Sequence, residues 1–238
     1  MNVKITYLYH SCFSLQVDKK VLLFDYPGGG VEKKAEDKFR KMLSEKDLYV
    51  FISHAHGDHF STDVAKFSSD AESTHFILSR DVPSHGLSVT LKDITEARPD
   101  SSYSLQDIGV RTFESNDAGV AYLIKLNSLT VYFGGDLAKW NWPEWSEKKR
   151  KEHVKVFDET TDILKEKDID IAFSNTDQRL KSWAGPVEFI EKVRPKYFVP
   201  MHTFGNVEWI DDLVRKGWDS KTEIFHYSEP GDEVVWNF

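Results

Sequence analysis

Only one cysteine, Cys12, stands in 238 residues. That excludes an internal disulfide and any zinc module built on paired cysteines. No stretch approaches the roughly 18 consecutive apolar residues of a membrane-spanning helix. Pro/Ser/Gly-rich tracts, low-complexity blocks and repeats of solenoid or propeller period are also missing. Basic charge is in the minority: 31 Lys and Arg against 39 Asp and Glu leave a net charge of −8. This acidity argues against a broad nucleic-acid footprint, with a local basic groove the only room left for one. The opening residues, Met-Asn-Val-Lys-Ile-Thr-Tyr, carry no signal-peptide apolar region. The expectation is a soluble cytoplasmic protein, one domain over residues 1–238, of a length routine for an α/β domain. With 40% hydrophobic residues, among them 7 Trp, 9 Tyr and 16 Phe, it has material for a substantial core.

What the chain does have is Phe51-Ile52-Ser53-His54-Ala55-His56-Gly57-Asp58-His59. The apolar run Leu48–Ile52 reads as a buried strand. The HxHxDH block then occupies the loop at its C-terminal edge, where open α/β sheets place ligand chemistry. His54 and His56 alternate, so an extended backbone points both imidazoles the same way. Gly57 lets the chain turn, so that Asp58 and His59 serve a neighbouring position. Imidazole and carboxylate suit zinc, with iron or manganese as alternatives. Four such ligands exceed what one open catalytic ion takes from a single segment. Two ions sharing a site about 3.5–4 Å apart use them all.

Strands are expected at 3–9, 12–17 and 21–25, an antiparallel meander with a turn at Asp18-Lys19-Lys20. The meander ends in Asp25 and a glycine-rich loop. A surface helix follows at 32–45, with Ala35, Phe39, Met42 and Leu43 at helical spacing. Ser61 caps a short helix, 75–78 is a strand, and 80–100 reads as polar and irregular. Strands return at 103–105, 110–114, 119–126 and 129–133, the last two joined by Asn127-Ser128. That hairpin runs into Gly134-Gly135-Asp136, again an acid at a strand end. The Trp140-Asn-Trp142-Pro-Glu-Trp145 cluster reads as a core plug before a long helix at 146–167, with a pocket wall as the other option. Alternating strands and helices complete the chain: strand 169–173, the polar loop Asn175-Thr-Asp177-Gln-Arg179, helix 186–193, strand 196–199, helix 207–216, and strands 222–226 and 233–236. His202 follows the fourth of these elements.

Strand-end Asp25, HxHxDH at 54–59, strand-end Asp136 after glycine and strand-end His202, in that order, resemble the metallo-β-lactamase superfamily over essentially the whole chain. Tyr9-His10-Ser-Cys-Phe13 and the compact length are similar to its UlaG-like metal-dependent hydrolase branch. The resemblance implies an α/β fold, a four-layer αββα sandwich, and two zinc ions. His54 and His56 would bind the first ion. Asp58, His59 and His202 would bind the second, with Asp136 bridging. Asp25 would buttress a ligating histidine, and His10 would lie near the site without an assigned role. One position departs from the family pattern. Where a third histidine for the first ion is usual, the chain reads Thr112-Phe-Glu114-Ser115-Asn116-Asp117. Asp117 is the expected replacement, with Glu114 and Asn116 as alternatives. An oxygen ligand there shifts preference toward harder ions such as manganese.

These features lead to an expected enzyme: a hydrolase that activates water on metal, with Asp58 or Asp136 orienting the nucleophile and relaying its proton. Arg179 or Lys181, on the loop with Asp177 after the 169–173 strand, is a candidate to neutralise an anionic substrate, with a plain solvent-facing charge as the other and simpler reading of each. The expected partner is a small-molecule ester, lactone or phosphoester, and the oligomeric state is left open. A nuclease or phosphodiesterase acting on RNA or nucleotides is the first alternative. A non-catalytic metal-binding or sensor protein with a degenerate first site is the second.

Overall fold

A computed structural model describes residues 1–82, 93–215 and 221–238. The chain divides into two compact units, Met1–Ala97 with Tyr227–Phe238, and Arg98–His226. Each is built on one seven-stranded mixed sheet carrying helices, so the α/β class expected from the sequence is met. No helix among the described residues is long and apolar enough to cross a membrane.

The first unit's sheet runs β14-β1-β2-β3-β4-β5-β6. Strands β1 (Asn2–Tyr9), β2 (Cys12–Val17) and β3 (Lys20–Phe24) form the antiparallel meander expected from their alternation. β3, β4 (Asp47–Ile52), β5 (Ser73–Ser79) and β6 (Ile94–Ala97) then pair in parallel. β6 falls inside the stretch read as irregular. Its four residues, Ile-Thr-Glu-Ala, are too few to show a period, and pairing to β5 supplies the order that local pattern lacks. The rest of that stretch, 83–92, lies outside the described residues. β14 (Glu233–Asn237) closes the sheet against β1, with Asn2 opposite Asn237.

Helix α1 (Lys33–Met42) buries Ala35 and Phe39 against the sheet residues Val21, Leu23 and Val50. The segment capped by Ser61 is a 3₁₀ helix over Thr62–Ser69, not an α-helix. Ser61 Oγ accepts from the Asp63 amide, and the Ser61 carbonyl takes the Val64 amide at 3.1 Å, the i→i+3 bonding of that tighter coil. Phe67 from this segment meets Tyr26 and Phe39 edge-on at 4.9 and 5.1 Å, the favoured aromatic geometry.

Glu36 ties α1 to this cluster. It accepts from Lys66 at 2.8 Å and from the Tyr26 hydroxyl. Burial alone would push its carboxyl up, but the bonds from Lys66 and Tyr26 outweigh it and hold the group below its usual range. A depressed carboxyl contributes stability above its unfolded pKa and loses that contribution as pH falls through the folded value. Glu36→Gln is therefore expected to cost about 1 kcal/mol at pH 7. Urea unfolding should show the deficit closing below about pH 4, where the unfolded carboxyl is protonated.

The second unit's sheet runs β13-β12-β11-β10-β9-β8-β7. β7 (Ser102–Leu105), β8 (Ile108–Glu114), β9 (Val120–Leu126) and β10 (Leu129–Phe133) form an antiparallel run. β11 (Ile171–Asn175), β12 (Tyr197–Met201) and the two-residue β13 (Glu223–Ile224) continue it in parallel. Helices α2 (Glu147–Leu164), α3 (Pro186–Val193) and α4 (Glu208–Arg215) connect these strands. Phe157 and Leu164 of α2 and Phe189, Ile190 and Val193 of α3 pack with Tyr132, Ala172 and Phe198. Ile163, counted on the apolar side of α2, is exposed, so that face is narrower than the sequence suggests. The end expected for α4 at 216 lies outside the described residues. β11 sits two residues later than expected because Ser174 and Asn175, polar residues that look like loop, are buried within the strand.

Candidate metal centre

In the first unit, neighbouring strands deliver the candidate ligands. Pairing of Phe24 with Phe51 in the parallel β3–β4 ladder brings Asp25 and Ser53 together at the strand ends. Asp25 is fully buried and holds φ +40°, a conformation rare outside glycine. Its carboxylate accepts from the Ser53 amide at 2.7 Å and from Ser53 Oγ at 2.6 Å. It also meets His59 Nδ1 at 2.7 Å. A carboxylate accepts, so His59 Nδ1 carries the proton and Nε2 presents its lone pair. Ser53 spends its only hydroxyl proton on Asp25. Its 2.9 Å contact with His54 Nδ1 is therefore a bond donated by the histidine, and His54 too turns Nε2 outward. One buried carboxylate thus sets the tautomer of two histidines, one of them through a serine. Metal-ligating histidines are oriented in this way.

His54 Nε2 lies 3.0 Å from His56 Nδ1, and His56 is exposed. Asp81 Oδ2 accepts from the Ala55 amide at 3.1 Å, fixing the backbone between these two rings. The sequence reading passed over Asp81, although an acid just past a strand end is the signal that identified Asp25 and Asp136.

His10 is buried in the β1–β2 turn at φ +51°, and the Tyr7 hydroxyl accepts from its amide at 3.2 Å. Its Nε2 approaches Asp58 Oδ2 at 3.6 Å, and its ring stands edge-on to His59 at 5.2 Å. The His10 imidazole holds the Asp58 carboxyl well below the usual carboxylate range. His10, Asp58 and His59 each offer a ligand atom within 4.8 Å of the others.

In the second unit, Asp136 follows β10 through Gly135, whose φ of +52° a side chain would strain. The Trp140 indole donates to the Asp136 carbonyl at 2.8 Å, and Trp140 packs with Ala138, Leu180 and Ala184. Trp140 is thus the plug expected of the aromatic cluster, while Trp142 and Trp145 remain partly exposed against it. His202, at the end of β12 with φ +63°, stands between two carboxylates. Its Nε2 is 3.4 Å from Asp136 Oδ1 and its Nδ1 is 3.3 Å from Asp177 Oδ2. Burial opposes charging the ring, but Asp136 and Asp177 outweigh it and raise the His202 pKa to about 9. Asp177 is fully buried. Burial pushes its carboxyl up, and bonds from His202 and Arg179 more than reverse this, to about 2. Asp177 thus stands beside His202 Nδ1 as Asp25 stands beside His59 Nδ1, at 3.3 Å against 2.7 Å.

Asp117 is exposed and offers a carboxylate oxygen within 4.8 Å of one from Asp136. The alternative Asn116 is committed elsewhere. Its amide donates to the Ala138 and His153 carbonyls, both at 2.7 Å, and accepts from the Ala138 amide at 3.2 Å. These bonds tie the loop after Asp136 to α2 and leave Asp117 as the ligand candidate of this stretch. Glu114 ends β8 on an exposed position.

Imidazoles with fixed outward lone pairs beside carboxylates form a donor set that fits divalent cations such as zinc, manganese or iron. The Cys12 thiol is buried and pushed up by that burial, so it stays protonated and outside the set.

The fold resembles Igni18, a metallo hydrolase of Ignicoccus hospitalis, with a TM-score of 0.67 and 19% identity over 100% of both chains. It resembles the metallo-β-lactamase fold protein YhfI of Bacillus subtilis, with a TM-score of 0.65 and 12% identity over 99% of both chains. CmlA, a diiron β-hydroxylase of Streptomyces venezuelae, matches at a TM-score of 0.60 and 12% identity, over 100% of this chain and 54% of its own. Residues 4–202 match the model of the β-lactamase superfamily domain. With five-sixths of its residues inside that match and the same fold in these structures, the chain belongs to the metallo-β-lactamase superfamily.

Proposed function

We propose that the chain is a metal-dependent hydrolase of the UlaG-like kind, acting in the cytoplasm as one catalytic domain on a small anionic ester, lactone or phosphoester. The proposed cofactor is a pair of divalent ions, zinc in the first place, with manganese or iron as alternatives. His54, His56 and Asp117 would hold one ion, and Asp58, His59 and His202 the other, with Asp136 bridging. The observation that carries this reading is the Asp25 network, in which one buried carboxylate fixes His59 directly and His54 through Ser53.

Ions bound by these ligands would lower the pKa of a coordinated water from about 16 to about 7 and polarise the substrate oxygen. The chain's own groups do the rest. Asp25 and Asp177 keep the ligating rings from turning. Asp58, kept ionised by His10, and Asp136 orient the attacking water and take its proton.

Elemental analysis of protein purified without added metal tests the proposal. Two ions per chain are expected for the wild type and one for Asp117→Ala. One ion or none in the wild type, unchanged in the variant, would overturn the binuclear reading and favour a metal-binding protein without hydrolysis.

A further inference from the structure

Beyond the ligands, the second unit carries an arginine held in a frame. Asp177 grips the Nε–Nη2 edge of Arg179, with Nε 2.9 Å from Oδ1 and 3.0 Å from Oδ2. The Arg179 amide also donates to Asp177 Oδ1, at 3.0 Å. The guanidinium carbon lies 4.6 Å from the Phe204 ring centre and 5.4 Å from that of Trp142. Trp142 stacks parallel to Trp140 at 6.1 Å, and Trp140 meets His202 edge-on at 5.4 Å. Phe204 approaches the same histidine at 4.8 Å from its own loop, with φ +50°. A continuous aromatic wall therefore runs from His202 out to Arg179. The arginine side chain remains 50% exposed while its carboxylate partner is 0% exposed.

We infer that Arg179, fixed by Asp177 between Trp142 and Phe204, is the binding site for the anionic group of the substrate, a carboxylate or phosphate. The inference rests on the hydrolase reading for the word substrate, though not for the anion site itself. Three observations support it. First, a free arginine loses about 2 kcal/mol of rotamer freedom when it binds; Asp177 and the two rings have already fixed this one, so a ligand would meet a prepared fork. Second, a planar guanidinium matches two oxygens of a carboxylate or phosphate at once, which a lysine ammonium does not. Third, Asp177 Oδ2 is shared by Arg179 Nη2 and His202 Nδ1, so one carboxylate oxygen separates the arginine from a proposed metal ligand. An anion on Arg179 would thus be anchored a short bridge away from the reacting bond. Asp177 is on this view a positioning residue for both neighbours. Were Arg179 present only to neutralise Asp177, neither its exposure nor its aromatic frame would be needed.

Inorganic phosphate is the probe. Its affinity is measured by calorimetry on metal-loaded wild type, Arg179→Lys and Arg179→Gln, with metal content and thermal midpoint recorded for each. Arg179→Gln should weaken phosphate binding at least tenfold at unchanged metal content, with Arg179→Lys in between. Affinity retained within twofold in Arg179→Gln would overturn the inference. So would a loss that merely follows lost metal, since Arg179 would then be a support for His202. Wild-type turnover of 4-nitrophenyl acetate and bis(4-nitrophenyl) phosphate is scored alongside. Absence of turnover with Arg179-dependent phosphate binding would remove the hydrolase reading and leave the anion site standing.

Discussion

Asp25→Ala is expected to lower stability by about 3–5 kcal/mol and metal affinity by a further 10- to 100-fold. The substitution removes three bonds at once and takes their buried acceptor from the Ser53 amide and His59 Nδ1, while the Ser53 hydroxyl can turn its proton to His54 Nδ1. A buried donor without a partner costs about 1–3 kcal/mol, which sets the scale. In a chain of this size the loss corresponds to a fall of roughly 10 °C in Tm. The affinity loss has a separate origin. Without Asp25 both His59 and His54 are free to turn and to exchange tautomers, so their lone pairs are no longer fixed outward. Thermal unfolding must be measured on metal-stripped protein, because bound metal stabilises by mass action and would mix the two effects. A variant that binds metal as tightly as the wild type would show that Asp25 does not act through the histidines.

His56→Ala should do the opposite to the two properties. His56 is exposed, so its loss should leave the stability of metal-stripped protein within about 0.5 kcal/mol of the wild type. Hydrolysis should fall by about a thousandfold or more, which is roughly 4 kcal/mol of transition-state stabilisation. The check is turnover of generic ester and phosphodiester substrates beside urea unfolding of the same preparations. Wild-type turnover in this variant would sink the mechanism.

Much of the candidate site was legible because it follows one grammar, an apolar run ended by an acid or a histidine. Asp25, the HxHxDH block, Asp136 and His202 all fit it, and so does Asp81, which was passed over. The less legible features depend on partners distant in the chain. Nothing local in Glu114-Ser115-Asn116-Asp117 says that Asn116 will bond Ala138 and His153 while Asp117 stays exposed. The left-handed backbones of His10, Asp25 and His202 are only weakly written in residue type: aspartate and histidine are enriched at such positions, but glycine is the usual occupant. Strained backbone of this kind persists where surrounding structure over-determines it, as the Tyr7 hydroxyl does for His10. The strands were legible wherever alternation or an apolar run was long. They were not where four residues carried β6, or where burial of Ser174 and Asn175 shifted the frame of β11.

The pairing of β1 with β14 has a consequence for how the protein is made. The first unit is discontinuous: its edge strand β14 leaves the ribosome after every residue of the second unit. Until then β1 has a bare edge, a row of amide and carbonyl groups ready to pair with another chain. The second unit, continuous from Arg98 to His226, can complete its own sheet earlier. The strand that begins the chain must therefore wait longest for its partner. The nascent protein's exposure to misassembly is concentrated on this edge.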